Sequence, residues 1–325
     1  MPDVIQWLVA LVSTLLTLNS VEQIDGYPLY TMHTYGNMER NIAVIDAMGR
    51  FFESAAFELP AAPAGDQPAW ACSLFAALAD PDAALYGRNF DWQFSPAVLL
   101  FNHPPDGYDS VSMVDIAYLG FGHDDASAMS LVARAPLIAA PGMPFDGMNE
   151  HGLAIGMAAV AGTRMPRDPD LPTVGSLGIM REVLDHARTV DEAVAIFGRY
   201  NIDMVGGPPI HYLIADAVGG SVLIEFYDGA MVVQPGAGQW NMATNFIRAS
   251  TDKPDSMCWR YHAISARLSE SEGRITPAAA LELLEAVSQD STQWSVVYDM
   301  AAREVHVVMG RDYTTVYHLP FHHSD

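Results

Sequence analysis

The chain reads ACSLF at residues 71–75 and YGRNFDW at residues 86–92. The turn-forming tripeptide Asp80-Pro81-Asp82 lies between these two runs, and apolar residues flank it on both sides. This pattern predicts a β-hairpin with strands over residues 73–78 and 83–86. The end of the second strand would then return beside Cys72.

Three residues of this hairpin carry reactive or charged groups. Arg88 follows Cys72 by 16 residues and Asp91 follows it by 19. A thiol becomes a strong nucleophile when a neighbouring cation or base favours its thiolate form, and a guanidinium with an orienting carboxylate can supply that environment. The sequence Gly-Arg-Asn-x-Asp is also typical of turns, however. A lone cysteine is more often a small buried core residue than a nucleophile. The hairpin alone leaves both interpretations open.

The composition excludes several classes of partner and cofactor. Half of the 325 residues are hydrophobic, the formal net charge is -23, and Lys253 is the only lysine. Such a surface repels nucleic acids and anionic lipid headgroups. With only Cys72 and Cys258, no disulfide framework can form, and the eleven histidines show no HExxH pattern. We therefore expect no metal, no cofactor and no nucleic-acid partner.

The first residues form an apolar, uncharged run over 5–18. Its composition suits the core of a signal peptide, but Asp3 stands where a basic residue is expected, and the run is too short for a comfortable membrane span. Two interpretations follow, an atypical export signal or an apolar helix that packs on the domain. The compartment, cytoplasmic or exported, is therefore left open, and no stable membrane span is expected.

The segment just before Cys72 has the composition of a linker. Residues 54–71 are rich in Ala, Pro and Gly and show little periodicity, whereas residues 36–53 before them have apolar residues at helical spacing. A loose segment thus ends at the candidate nucleophile.

After Cys72 the pattern alternates between groups of strands and pairs of helices. Helices are predicted over residues 176–188, 191–200, 257–269 and 276–288, with Thr189 and Thr276 as caps. Apolar runs bounded by Gly, Pro and Asp predict the following strands: 99–102, 110–119, 130–138, 153–161, 211–217, 221–227, 231–234, 239–245, 295–300, 304–309 and 315–319. Helix pairs between hairpin-built strands favour a layered sandwich with antiparallel sheets over a Rossmann alternation.

Three further motifs follow the hairpin in a fixed order: DGMNEHGL at residues 146–153, Thr244-Asn245, and Trp259-Arg260-Tyr261. Together with the hairpin they resemble the choloylglycine hydrolase and penicillin V acylase group of N-terminal nucleophile (Ntn) hydrolases, to which acid ceramidase-like and isopenicillin N acyltransferase-like proteins are related. The resemblance runs from Cys72 to the end of the chain. It implies an α+β fold, a four-layer αββα sandwich with two antiparallel sheets, and a division into an N-terminal segment (1–71) and a catalytic domain (72–325).

The resemblance also implies roles for individual residues. Cleavage before Cys72 would free its α-amine, whose ordinary pKa of about 7.7 to 8.0 suits a general base. Asp91 would orient this amine, Arg88 and Arg260 would favour the thiolate, and the side-chain amide of Asn245 would stabilise the oxyanion.

Two features depart from the pattern of the group. Bile-salt hydrolases carry Asn and penicillin V acylases carry Tyr at the position where this chain has Ala159, so the side chain that helps define those substrates is missing. The backbone N–H of Ala159 can still donate, and Ala159 therefore completes the catalytic set. In addition, 71 residues precede Cys72, so an internal cleavage is required.

We therefore expect an amidohydrolase that cleaves a linear non-peptide C–N bond, of N-acyl amide or N-acyl amino acid type, through a thioester on Cys72. Two alternatives stay open, an acyltransferase that uses the same acyl-enzyme and an uncleaved, non-catalytic binding protein. The substrate is a small molecule, and the chain can form a homo-oligomer. Tyr118, Phe121 and Phe145 are candidates for an acyl pocket, whereas the methionines over residues 143–165 are expected to fill the core.

Overall fold

The computed structural model describes residues 2–51, 71–236 and 238–321. The predicted linker, apart from its last residue Ala71, lies outside the described residues. The described segments contain the candidate nucleophile and every other predicted site residue.

The predicted hairpin is present. Two antiparallel strands run over Ala71–Ala77 and Leu85–Asp91, and Cys72 pairs with Phe90 across the ladder. Asp80 begins the short 3-10 helix between them by accepting a hydrogen bond from the backbone N–H of Asp82. Gly87 is required within the second strand because a Cβ there would lie 2.4 Å from the ring of Phe75.

In chain order, the strands of the described residues are β1 (Glu22–Asp25), β2 (Leu29–Tyr35), β3 (Ala71–Ala77), β4 (Leu85–Asp91), β5 (Ala97–His103), β6 (Ser110–Asp115), β7 (Asp146–Asn149), β8 (Ala154–Ala159), β9 (Thr173–Gly175), β10 (Asn201–Asp203), β11 (Ile210–Ala215), β12 (Ser221–Tyr227), β13 (Ala230–Pro235), β14 (Trp240–Ala243), β15 (Thr292–Asp299), β16 (Glu304–Met309) and β17 (Tyr317–Pro320). The α-helices are α1 (Pro2–Asn19), α2 (Met38–Phe51), α3 (Leu131–Arg134), α4 (Gly178–His186), α5 (Val190–Phe197), α6 (Trp259–Glu270) and α7 (Pro277–Ala286).

Two large sheets form the centre of the fold. In the described residues, one has the strand order β1-β2-β5-β6-β7-β8-β11-β12-β13 and the other has the order β14-β3-β4-β15-β16-β17. The strands β3 and β8 contact each other across the interface between the sheets. The helices α4 and α5 pack on the first sheet, and α6 and α7 pack on the second. The order of layers is therefore helix, sheet, sheet, helix, as expected for the αββα sandwich.

Two strand pairs of the described residues are parallel: β9 with β10, which form a separate two-stranded sheet, and one pair within the larger of the two main sheets. The strand β2 pairs in parallel with β5, from Leu29 opposite Ala97 to Tyr35 opposite His103. A parallel neighbour needs a long crossover connection, which the chain supplies because β2 precedes the β3–β4 hairpin of the other sheet. The strands β1 and β2 of the N-terminal segment thus belong to the large sheet.

The helix caps were predicted correctly, and two predicted strands need correction. Thr189 and Thr276 each accept a hydrogen bond at the start of α5 and α7. Of the strand predicted over residues 110–119, only Ser110–Asp115 is β6, and Ile116–Leu119 forms a 3-10 helix that Asp115 caps. The predicted strand over residues 130–138 is instead the short helix α3 followed by a 3-10 helix over Ala135–Gly142. Its apolar run has no alternation that distinguishes strand from helix, and the side chain of Ser130 caps the helix.

The apolar N-terminal run forms α1 and packs against β2 and α2. The side facing the protein is mostly small or polar: Ala10, Ser13, Thr14 and Thr17 are buried together with Leu18, and Ser13 donates to the Oδ1 of Asn41. The opposite side exposes mainly branched aliphatic residues, namely Val4, Ile5, Leu8, Val9, Val12 and Leu16. Within the described ranges, no helix combines the length and the apolar character needed to cross a membrane.

Candidate active site

Cys72 is the second residue of β3 and its side chain is almost completely buried. It forms part of the wall of a cavity of about 560 Å³, which lies between the end of the hairpin and the loops that follow β9 and β10. A cavity of this size can enclose a small organic ligand. The thiol is therefore placed where a substrate could reach it.

The cavity is predominantly apolar, and none of the described residues that line it carries a formal charge. Its large side chains are Phe90, Trp92, Tyr118, Met143, Phe145, Met157, Leu177 and Ile210. Of the aromatic residues considered for an acyl pocket, Tyr118 and Phe145 line it, whereas Phe121 belongs to a separate core cluster under α1. The four methionines Met143, Met148, Met157 and Met165 lie in the core or pack against it, as expected, and Met143 and Met157 also line the cavity.

Asn245 and Ala159 lie beside the nucleophile, as the sequence predicted. The backbone N–H of Cys72 donates to the Oδ1 of Asn245 at 2.6 Å, and the Nδ2 of Asn245 donates to the carbonyl of Ala159 at 2.8 Å. These bonds fix the orientation of the amide, and one N–H of the Asn245 Nδ2 group remains for another acceptor. Ala159 also lines the cavity.

The side chain of Arg260, which lies on α6, contacts both Cys72 and Asn245. Its guanidinium donates to the carbonyl of Cys72, to the Oγ of Ser73 at 2.9 Å and to the Oδ1 of Asn245 at 2.9 Å. The side chain is nearly buried and is held by charge-assisted hydrogen bonds, so it is not a surface cation. Arg260 thereby locks the main chain of the nucleophile to the predicted oxyanion donor.

Arg88 is fully buried on β4, with its Nη2 4.0 Å from the Sγ of Cys72 and 3.8 Å from the Sδ of Met157. Its Nη1 forms an ion pair with Asp146, which also accepts a hydrogen bond from the hydroxyl of Tyr298. Burial alone would lower the pKa of Arg88, but the Asp146 carboxylate raises it, so the guanidinium stays charged. The cation beside the thiol is thus paired with Asp146, and Tyr298 holds Asp146 in place. Sequence reasoning assigned a role to neither residue.

Asp91 ends β4, opposite Ala71 in the ladder. One carboxylate oxygen accepts from the hydroxyl of Thr292, while Oδ2 is buried without a hydrogen bond and lies 4.0 Å from the Nη1 of Arg260. Burial raises the pKa of Asp91 to about 6, against the opposing effects of Thr292 and the nearby arginines. A buried, incompletely satisfied carboxylate therefore stands at the bond between Ala71 and Cys72.

The pKa of the Cys72 thiol is raised in the uncleaved chain. Burial is the largest cause and Asp91 adds to it, whereas Arg88, the backbone N–H of Asp91 and Arg260 act in the opposite direction. The two arginines have the predicted sign, but the desolvation of the thiolate outweighs them. The thiol thus needs a base before it can react as a thiolate.

The structure brings all six predicted site residues to one end of the two sheets. Sequence reasoning missed four supporting residues, Ser73, Asp146, Thr292 and Tyr298. Only Asp146 had a recognisable signal, because it begins the DGMN run, which becomes β7. Asn149 of the same run makes an Asx-type turn by accepting from the backbone N–H groups of His151 and Leu153. Within the described residues, no group of three or more His, Cys, Asp or Glu side chains is arranged to hold a metal ion.

Comparisons with known proteins identify a family and a fold. A family model described as linear amide C-N hydrolases, choloylglycine hydrolase family, matches residues 72–245, slightly more than half of the chain. No curated protein matches significantly.

Among solved structures, penicillin V acylase from Agrobacterium tumefaciens is similar at 17% identity and a TM-score of 0.53, covering 77% of this chain and 86% of that one. A mutant conjugated bile acid hydrolase from Clostridium perfringens is similar at 13% identity and a TM-score of 0.54, covering 77% and 92%. A second variant of that hydrolase gives 13% identity and a TM-score of 0.53 with the same coverage. At these identities the likeness shows the fold alone.

Proposed function

The chain belongs to the choloylglycine hydrolase family of linear amide C-N hydrolases, and we propose that it acts as an Ntn amidohydrolase whose nucleophile is Cys72. The observation that carries this proposal is the position of Cys72. Its thiol lines an uncharged apolar cavity, while Asn245 and Arg260 hold its backbone N–H and carbonyl.

The first step is cleavage of the bond between Ala71 and Cys72. The thiol attacks the carbonyl carbon of Ala71, the peptide bond shifts to a thioester, and water hydrolyses that ester to leave a carboxylate on Ala71 and a free α-amine on Cys72. The unsatisfied Oδ2 of Asp91 supports this step because the new α-ammonium would supply the hydrogen bond that it lacks.

Amide hydrolysis then uses the same residue as nucleophile and base. The α-amine takes the thiol proton, and the thiolate attacks the substrate carbonyl. The free N–H of Asn245 and the backbone N–H of Ala159 would donate to the oxyanion. The α-ammonium protonates the leaving amine, a thioester remains on Cys72, and water attacks it with the α-amine as base.

The chemistry of the cavity walls supports a proposal about the acyl group of the substrate. Its aromatic and sulfur-containing walls would bind a neutral alkyl or aryl acyl group and offer no partner to an acyl group with a charge of its own. We therefore propose N-acyl amides or N-acyl amino acids with an apolar acyl group as substrates, the amine side facing the mouth of the cavity.

The N-terminal segment stays attached after cleavage in this proposal. Leu29, Tyr30 and Met32 of β2 are fully buried, and β2 pairs with β5 along its whole length. Residues 1–71 and 72–325 would thus form one folded unit made of two chains.

A panel of N-acyl amides tests the proposal. Processed protein should release amine from neutral acyl substrates, and Cys72→Ala should not. An acceptor amine added to the reaction separates hydrolysis from acyl transfer, because only the transfer reaction produces a new amide. Release of amine at the wild-type rate by folded Cys72→Ala would reject Cys72 as the nucleophile.

A further inference from the structure

A buried histidine lies behind the predicted oxyanion donor. His211 on β11 is almost completely inaccessible, and both of its ring nitrogens have partners. Nε2 lies 2.8 Å from the carbonyl oxygen of Thr244, and Nδ1 lies 2.9 Å from the Oε1 of Glu225. Thr244 directly precedes Asn245, so His211 contacts the main chain that carries the donor.

The contacts determine how many protons His211 carries. A carbonyl oxygen can only accept, so Nε2 must bear a hydrogen. Glu225, also fully buried, accepts from the backbone N–H groups of Arg248 and Ala249, at 2.8 Å each, and from the side-chain amide of Gln234. Burial alone would raise the pKa of Glu225, but its hydrogen bonds with His211 and with the backbone N–H groups of Arg248 and Ala249 lower it. Glu225 is thus a carboxylate, and Nδ1 must donate to it.

From this geometry we infer that His211 is a doubly protonated imidazolium that positions Asn245 for catalysis. The inference rests on the proposed function, in which Asn245 stabilises the oxyanion. The imidazolium connects the two sheets, because β11 and β12 belong to one sheet and Thr244 follows β14 of the other. A neutral imidazole could keep only one of the two contacts, and its bare nitrogen would face an oxygen.

The surroundings contain few other charges. The strands β3, β8, β12 and β14 and the short helix Arg248–Ser250 lie near β11 or its Glu225 partner. Of these, β8 and β14 carry no titratable side chain, β3 carries Cys72, and β12 carries Glu225 and the exposed Tyr227. The helix α5 also packs on β11 and carries Asp191 and Glu192 in its first turn, where Asp191 is exposed and Glu192 pairs with Arg188. Arg248 directs its guanidinium to Gln234 and Asn241. Glu225 is therefore the charge that directly holds the second proton on His211.

Nitrogen NMR of protein labelled with ¹⁵N-histidine tests the proton state without relying on activity. Both ring nitrogens of His211 should show protonated resonances at pH 7, identified by their loss in His211→Gln or their change in Glu225→Gln. A single protonated ring nitrogen at pH 7 would overturn the inference. The proposed function could fail separately, if the processed protein hydrolysed no amide.

Kinetics test the positioning role. His211→Gln can satisfy Thr244 or Glu225 but not both, and should lower kcat roughly 10- to 100-fold with little change in KM, since a displaced oxyanion donor acts on the transition state. In Glu225→Gln the amide can donate to a neutral imidazole that still donates to Thr244. This variant should keep more of the activity than His211→Gln does. Its activity should also fall less above neutral pH than that of the wild type.

The control is His103→Gln, because His103 also pairs with a carboxylate, Asp109 at 2.8 Å, but on a half-exposed surface. It should match the wild type in kcat and in pH profile. A wild-type kcat and pH profile in His211→Gln would refute the positioning role. An equal loss of kcat above neutral pH in Glu225→Gln and in the wild type would refute it as well.

Discussion

At the scale of single residues, the site balances burial against charge. Cys72 and Asp91 are both buried, so desolvation raises both pKa values, while Arg88 and Arg260 oppose it. The positive charge of Arg88 is offset by the carboxylate of Asp146, and this limits how far Arg88 can favour the thiolate. The free α-amine proposed for the processed chain provides the base that this environment lacks.

Replacing Arg88 should make the thiol less reactive. Arg88→Met keeps most of the side-chain volume but removes the cation 4.0 Å from Sγ, so the pKa of Cys72 should rise and alkylation at neutral pH should slow by about tenfold for each pKa unit. Iodoacetamide labelling followed by peptide mass analysis measures this rate. Cys258 in the same chain is an internal standard, and Arg267→Met on the exposed part of α6 is the matched control. An unchanged Cys72 rate in Arg88→Met would reject the role given to Arg88.

Asp91 should make the uncleaved chain sensitive to pH. Its pKa is 3.8 ordinarily and about 6 in the fold, so the folded state favours the protonated form. The stability contributed by that proton is present below pH 3.8 and is lost as the pH rises to about 6. In the Cys72→Ala background, which retains the bond, the loss between pH 4 and pH 7 should be at most about 3 kcal/mol relative to Asp91→Asn.

Urea denaturation of both variants across this pH range measures the difference. The Asp91 protein should lose stability relative to its Asn counterpart as the pH rises. A difference that stays constant from pH 4 to pH 7 would contradict the raised pKa of Asp91.

At the scale of elements, the hairpin of β3 and β4 was predictable because its turn chemistry and apolar runs are local. The caps Thr189 and Thr276 were predictable for the same reason. The convergence of Asn245 and Arg260 on Cys72 depends on contacts 173 and 188 residues apart. Periodicity carries no signal for such pairings, and only the resemblance to a family placed these residues together.

The pairing of β2 with β5 was also beyond local reasoning, since a parallel strand is joined by a long crossover. Its consequence can be tested in the processed protein. Residues 1–71 should co-elute with residues 72–325 on size exclusion in native buffer and separate from them in 6 M guanidinium.

A matched pair of substitutions tests which strand holds the segment. Met32→Asp places a charge at a fully buried position of β2 and should release the segment after cleavage, whereas Tyr35→Asp changes an exposed position at the end of the same strand. Retention of the segment in folded, processed Met32→Asp would show that β2 is not what holds it.

At the scale of the whole molecule, the net charge of -23 is the dominant electrostatic feature. Like charges on a folded surface repel one another, and salt screens them over roughly 8 Å at physiological ionic strength. The melting temperature should therefore rise when sodium chloride is increased from 20 to about 500 mM. Differential scanning fluorimetry measures the shift, and a fall in melting temperature would mean that attractive ion pairs outweigh the net repulsion.

The central claim joins the cleavage before Cys72 to the acyl-enzyme on the same residue. Intact mass spectrometry tests both after the protein is mixed for a short time with an aryl-acyl amide and quenched in acid. The account predicts a chain of residues 72–325 that is heavier by one acyl group, bound to Cys72 as a thioester or, after transfer to the α-amine, as an amide of equal mass. A full-length, unmodified chain in a sample that turns the substrate over would contradict it.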